Sequence, residues 1–97
     1  MRIEWADKAT ADLVRLHGFL KQVAPDSAVR VVQDLSRAPD KLLDFPRIGE
    51  KLEAYEPRDV HRIIVGKYEL RYELAEGRIV VLRLWHGRED RALGESE

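Results

Sequence analysis

The stretch Arg78–Arg91 constrains the fold most, because a long apolar run in it ends abruptly in polar groups. Residues 79–85 are β-branched or large and apolar except for Arg83, and glycines bound the run on both sides. This length and composition predict a central strand that is covered on one face. The groups that follow it are His86, Arg88, Glu89, Asp90 and Arg91. We therefore expect a rigid strand with a recognition or catalytic surface at its end.

The length of the chain indicates one modest domain, and its charge limits the partners that the domain can bind. A chain of 97 residues with 44% apolar side chains supplies one hydrophobic core, so we expect a single domain over residues 1–97 with a frayed tail at 92–97. The 36% of charged residues predicts a heavily solvated surface. The formal net charge of −1 argues against binding that relies on bulk positive charge to hold a nucleic acid.

The residue types also exclude several kinds of chemistry. The chain contains no cysteine, which rules out disulfides, thiolate catalysis and cysteine-type zinc sites. No metal-ligand spacing links His17, His61 and His86, so neither a metal nor another cofactor is expected. The sequence shows no leader and no apolar span of membrane length. A cytoplasmic location without a membrane partner is the expectation.

The first half of the chain predicts a strand and two helices. Met1–Trp5 alternates like a half-buried strand, and Asp7 is the expected N-cap of a helix that runs to Val23. Its apolar stripe consists of Ala9, Leu13, Leu16, Leu20 and Val23, widened by Phe19. Ala24–Ser27 then starts a second helix, and the short connection predicts an antiparallel hairpin. Pro39 predicts a kink or a restart near Ala38.

The second half predicts strands. Residues 50–57 are irregular and mixed in charge, which predicts a loop. Asp59–Val65 and Tyr68–Leu74 have strand patterns, and the run at 79–85 follows them after a short turn. We therefore expect an α+β fold: an N-terminal strand, an antiparallel helical hairpin and a three-stranded antiparallel meander, with the first strand in the same sheet.

The face of the meander away from the helices carries the candidate polar groups. These are Glu69, Arg71, Glu73 and Arg83, with His86 and Arg88 expected just beyond the strand end. Glu69 and Arg71 form either an active-site cluster or part of a solvated charged face, and Glu73 fits the solvated face. His86 fits either a functional site or a hydrogen-bonding plug beside Trp85. Both interpretations of these residues stay open.

Four segments, in their order along the chain, resemble the RelE/ParE superfamily of bacterial toxins from type II toxin–antitoxin modules. They are Trp5–Ala6 followed by Ala11–Leu13, Phe45–Gly49, Gly66–Tyr72 and Val81–Arg88. The resemblance covers nearly the whole chain. It implies a growth-inhibiting toxin that a cognate antitoxin holds inactive in a hetero-oligomer.

The superfamily carries two mechanisms on one fold. RelE-like members cut messenger RNA in the ribosomal decoding site, which here implies His86 as acid or base, Glu69 as base, and Arg71 and Arg88 as phosphate ligands. The sequence departs from that pattern in two places. Glu69 follows Tyr68 where such enzymes place an arginine, and nothing aromatic follows Trp85.

The other mechanism is the ParE-like poisoning of DNA gyrase. The segment Leu84–Asp90 resembles the apolar-His-Gly-x-x-Asp ending of that branch, and with the near-neutral charge it favours gyrase as the target over the ribosome and messenger RNA. The expected target contacts are Arg83, His86, Arg88 and Arg91. The resemblance places the antitoxin contact at Leu13, Leu16, Leu20 and Arg71. A third hypothesis is an inactive binding module, because Glu69 breaks the nuclease pattern.

Overall fold

A computed structural model describes residues 1–87. Two of the expected target contacts, Arg88 and Arg91, lie outside the described residues. The helices and strands are β1 Arg2–Trp5, α1 Asp7–Val23, α2 Pro25–Arg37, a 3₁₀ helix Ala38–Leu43, β2 Glu50–Lys51, a 3₁₀ turn Glu53–Tyr55, β3 Val60–Val65, β4 Tyr68–Ala75 and β5 Arg78–His86.

The strands form one mixed sheet in the order β1-β5-β4-β3-β2. β1 is parallel to β5, and the other neighbours are antiparallel. The predicted meander is therefore present as β3, β4 and β5, with the first strand in the same sheet. The prediction of a loop over residues 50–57 is wrong at Glu50–Lys51, which pairs with His61–Arg62 as β2. A two-residue strand is too short to show an alternating pattern, so no local signal announces it.

The helical hairpin follows the sequence pattern closely. α1 has the predicted bounds, but Ala6 and not Asp7 occupies its N-cap position. The Ala6 N–H is bonded to the carbonyl of Val81, so the chain is still held by the sheet at that residue. Asp7 lies in the first turn instead, where its negative charge favours the positive end of the helix dipole. Ala24 is the single residue between α1 and α2, which starts at Pro25. The two helices pack against each other as a hairpin.

The restart predicted by Pro39 is confirmed. α2 ends at Arg37, and the chain continues from Ala38 as a 3₁₀ helix. Proline lacks a donor and clashes with the preceding turn, which ends the regular α-helical ladder. Pro39 and Leu42 are nevertheless buried, so the 3₁₀ helix adds to the core.

The core lies between the helices and one face of the sheet. Its buried members are Ala9, Leu16, Leu35, Leu42, Ile63, Leu70, Tyr72, Ile79, Val81 and Leu84. Each large aliphatic side chain buried here contributes about 1.5–3 kcal/mol of hydrophobic free energy. The sheet face that packs against the helices is the one that carries the strand residues of this core.

A β-bulge changes the pairing of β5 in its middle. Tyr72 pairs with Val81 but Arg71 pairs with Arg83, so Leu82 is the extra residue. Past the bulge, Leu84 and His86 lie on the helix-facing side, opposite Leu70 and Tyr68. Directly opposed residues share a face, so Arg83 and Trp85 lie on the other side of the sheet.

Candidate functional site

Asp12 of α1 binds the outer side of β5 beyond the end of β1. β1 pairs with β5 only as far as Val81. Further along, Asp12 Oδ2 accepts the backbone N–H of Leu84 at 2.9 Å and the Nε of Arg83 at 2.7 Å. Arg15 donates to the Leu84 carbonyl at 3.3 Å and to Asp12 at 3.2 Å. Side chains of α1 thus satisfy backbone groups that a neighbouring strand would otherwise pair.

Across the sheet face away from the helices lies the arginine–tryptophan cluster, which we define as Arg71, Arg83 and Trp85. The guanidinium carbon of Arg71 is 4.5 Å and that of Arg83 4.9 Å from the Trp85 ring centroid. The two arginines face each other in the β4–β5 register, where like charges repel. Each has a carboxylate partner, Asp12 for Arg83 and Glu69 for Arg71. The indole face adds a cation–π attraction to both.

Glu69 and Arg71 form a buried pair, and the exposed fraction of Glu69 is 1%. Arg71 donates from Nε to Glu69 at 2.9 Å and from a terminal nitrogen to the Tyr55 hydroxyl at 2.7 Å. Burial lowers the pKa of Arg71, but Glu69 and Tyr55 outweigh it, so the pKa lies above its ordinary value. Glu69 also accepts a longer bond from Arg62, at 3.4 Å. Arg71 is thus a charged group with no proton to offer near neutral pH.

His86 lies on the opposite side of the sheet from Arg71. It is half-buried and meets Tyr68 edge-to-face, with ring centroids 5.2 Å apart. It stands at the rim of a groove of about 450 Å³ between the helices and the β3–β4 turn, which we call the hairpin groove. The residues that line it are Phe19, Leu20, Val23, Ala24, Ser27, Val31, Asp34, Leu35, Val65, Gly66, Lys67, Tyr68 and His86. The structure therefore does not bring together His86, Arg71 and Glu69, the described part of the RNase constellation.

The predicted binding residues have mixed placements. Arg83 is only 8% exposed and is bonded to Asp12, so its side chain is mostly inaccessible to a binding partner. Leu16 is part of the core, and Leu13 packs against it. Leu20 is buried at the bottom of the hairpin groove. The apolar groups that α1 exposes at this groove are Phe19 and Val23, at 56% and 60%.

A second buried network fixes the segment that precedes β2. The Tyr72 hydroxyl donates to the Pro46 carbonyl at 2.7 Å and accepts the Gly49 N–H at 3.0 Å. Burial raises the pKa of Tyr72, so it stays a neutral phenol able to do both. His61 donates from Nδ1 to the Gly49 carbonyl at 3.0 Å, and its Nε2 contacts Asp59 at 2.7 Å. His61 is thus a structural residue.

Asp12 and Tyr55 are absent from the residues that the sequence predicts for the site. Asp12 carried a readable signal: it lies three residues after Ala9 and four before Leu16, inside the apolar stripe of α1. A carboxylate at such a position must be buried with a partner. Tyr55 sits in a stretch predicted as loop, so its contact with Arg71 had no sequence signal.

Residues 1–87 contain no group of three or more His, Cys, Asp or Glu side chains arranged to hold a metal ion. Over the same residues, no helix is long and apolar enough to cross a membrane.

Comparisons with known proteins agree with this architecture. The chromosomal ParDE toxin–antitoxin system from P. aeruginosa has a chain with a TM-score of 0.74 and 21% identity, covering 89% of this chain and 95% of that one. The RelB–RelE antitoxin–toxin complex from Methanococcus jannaschii gives a TM-score of 0.53 and 20% identity, covering 88% and 91%. Toxin RelE2 from Caulobacter vibrioides is 29% identical over 85 residues, which is 88% of this chain and 93% of that protein.

The family follows from the sequence match. The two solved structures share the fold of a helical hairpin on a sheet with this chain. The family described as "ParE toxin of type II toxin-antitoxin system, parDE" matches residues 3–91. The chain belongs to this ParE toxin family, and its function is that of the toxin in a type II toxin–antitoxin system.

Proposed function

We propose that this toxin inhibits DNA gyrase by binding it and does not cut messenger RNA. The observation that carries the proposal is the separation of His86 from Arg71 and Glu69, which lie on opposite faces of the sheet. Cleavage of a phosphodiester needs a base, an acid and a positive charge at one phosphate. A single phosphate does not reach both faces.

The electrostatics of the buried face support the same proposal. Glu69 is 1% exposed and its oxygens accept bonds from Arg71 and Arg62, so they face protein groups and not a substrate hydroxyl. Arg71 is 8% exposed and lies against Trp85, so it stabilises the sheet more readily than it reaches a substrate. The net charge of −1 also opposes docking into ribosomal RNA.

The proposed contact surface is the end of β5 with the residues that follow it. His86 projects from the last strand position, and Arg88 and Arg91 come next in the sequence. Arg83 belongs to this surface as its buried support through Asp12. A target in the replication machinery implies that the toxin acts in the cytoplasm.

We also propose that the cognate antitoxin covers α1 at the hairpin groove. The two similar structures come from a ParDE toxin–antitoxin system and from a RelB–RelE antitoxin–toxin complex. Phe19 and Val23 are exposed where this helix borders the groove, and the buried Leu20 lines the same groove, which leaves an apolar strip for an amphipathic partner segment. Arg71 lies on the other sheet face, so an antitoxin that also contacts it must extend around the molecule.

One pair of assays on purified, antitoxin-free toxin tests the mechanism. We expect cleaved DNA to accumulate in gyrase supercoiling reactions, and messages in a translation extract to remain intact. Cuts in translated messages with unchanged gyrase activity would instead establish the RelE-like alternative. The similarity to Toxin RelE2, at 29% identity, is the reason to test it. If expression without antitoxin leaves growth unaffected, the chain is an inactive binding module.

A further inference from the structure

Asp12 is a buried charge whose bonds to the sheet converge on one short piece of β5. Its side chain is 6% exposed, and burying a carboxylate is costly unless its partners compensate. Arg83 binds it through Nε at 2.7 Å and through a terminal nitrogen at 3.1 Å, which makes a two-point fork. The Leu84 N–H adds a third point at 2.9 Å. Asp12 therefore fixes both a backbone position and a side-chain direction.

The position it fixes lies directly before the proposed contact surface. Leu82 is the bulge residue, and a bulge bends its strand, increases the local twist and re-aims the side chains that follow, although β5 stays paired with β4 as far as His86. Asp12 binds the two residues that follow the bulge, Arg83 and Leu84. Arg83 then lies over Trp85, whose neighbour along the chain is His86. An unbroken series of contacts thus runs from α1 to the end of β5.

We infer that Asp12 is a positioning residue of the toxin, which sets the direction in which the end of β5 presents His86 to the target. The inference rests on the proposed function only for the identity of that target. A purely structural ion pair would change the stability of the fold but not the potency of toxin that remains folded. A positioning residue controls the local order of residues 84–86 and, through them, the potency of the toxin.

The local effect is measured by hydrogen exchange of backbone amides in the purified toxin. Asp12→Asn keeps the shape and an acceptor but loses the charge that holds the arginine fork. Glu73→Gln is the control, because it removes the charge of another ion pair between residues distant in the sequence, with Arg58 at 2.8 Å. In Asp12→Asn we expect the amide exchange rates of residues 84–86 to rise at least about tenfold, because one charge-assisted hydrogen bond is lost. The exchange rates in β3 should change less than about twofold.

Exchange that rises evenly over the whole chain, or stays unchanged at residues 84–86, overturns the inference. If Asp12→Asn does not fold, Arg83→Lys provides the second variant, because lysine keeps the charge but cannot form the fork. In Arg83→Lys we likewise expect the amide exchange rates of residues 84–86 to rise at least about tenfold. This arm needs no target, so its outcome is independent of whether gyrase or the ribosome is inhibited.

The functional arm uses the target that the wild-type toxin inhibits in the paired assays. At a temperature where each variant is folded, we expect Asp12→Asn or Arg83→Lys to need at least about tenfold more toxin for half-inhibition, and Glu73→Gln less than about twofold more. Wild-type potency in folded Asp12→Asn and Arg83→Lys overturns the inference. Message cleavage without gyrase inhibition contradicts the proposed function alone, since the positioning effect is then read on the messages.

Discussion

Gly49 occupies a position where a side chain does not fit. A Cβ there would lie 2.6 Å from the Arg62 carbonyl and 2.7 Å from the Tyr72 hydroxyl. Gly49→Ala must displace the buried network, and we expect a loss of about 2–3 kcal/mol in the free energy of unfolding. Gly18→Ala is the control, because a Cβ at that position would meet no described atom within 4 Å apart from its chain neighbours and the backbone of its own helix. Urea unfolding should show Gly18→Ala about 0.5–1 kcal/mol more stable than wild type; equal stabilities for the two variants would contradict the account.

Asp59 makes stability depend on pH at the acid end. Partial burial raises its pKa, but hydrogen bonds from His61 and Arg47 outweigh burial and hold the pKa below its ordinary value of 3.8. A depressed carboxylate pKa contributes stability that is present above the unfolded pKa and lost as pH falls through the folded pKa. Asp59→Asn should therefore be about 0.5–1 kcal/mol less stable than wild type near pH 7, a modest value because the group is partly solvated.

The difference between wild type and Asp59→Asn should shrink below pH 3.8 and vanish in stronger acid. Denaturant unfolding at a series of pH values measures it. Glu56→Gln is the control, since the Glu56 pair with Lys51 is exposed on both sides and 3.4 Å long. A gap that is the same at pH 7 and in acid would show that the Asp59 charge is not the cause.

His86 and Arg88 are the residues that we propose for both active mechanisms, as contacts to gyrase or as catalytic groups. Replacing both with alanine should abolish growth inhibition, whether the toxin acts on gyrase or on the ribosome. The measurement is growth after induced expression without antitoxin, with the protein level checked by blotting. Full toxicity of the double variant would place the contact surface elsewhere.

The regular helices and strands were well predicted because their sequence patterns are long. α1 shows several turns of apolar spacing, and β4 alternates over eight residues. β2 has two residues, and the bulge at Leu82 depends on how β5 meets β4. Both features are decided by tertiary pairing, so a local pattern does not contain them.

The same reasoning explains which part of the site was predictable. The placement of His86 at a strand end is predictable, because the apolar run at 79–85 stops directly before it. Glu69 and Arg71 share a face because of the period of a strand, but the pattern does not contain their burial or the contact of Arg71 with Tyr55. The face of His86 depends on the bulge, because one extra residue reverses the side on which every later side chain lies.

The apolar strip on α1 gives a prediction for antitoxin binding. Phe19→Gln removes an exposed ring at the hairpin groove, whereas Val29→Gln removes an exposed apolar group of α2 that does not line it. We expect the first change to weaken antitoxin binding by about 1–2 kcal/mol and the second by less than about 0.5 kcal/mol. Titration calorimetry with the cognate antitoxin measures both. Equal losses would rule out the hairpin groove as the antitoxin contact.

At the scale of the whole molecule, one sheet separates two surfaces with different properties. The helix-facing side carries the hairpin groove and His86, and the other side carries the arginine–tryptophan cluster. Asp12 links them, because α1 borders the groove and also binds β5. A partner on the hairpin and a target at the end of β5 would therefore contact connected parts of the fold.

The central claim is that the toxin acts on gyrase through binding. The most direct test is expression without antitoxin in cells, followed by measurement of gyrase-linked DNA breaks and of the 5′ ends of translated messages in the same culture. The account predicts that DNA breaks rise before growth stops and that the message ends stay unchanged. New message ends in the absence of DNA breaks would contradict it.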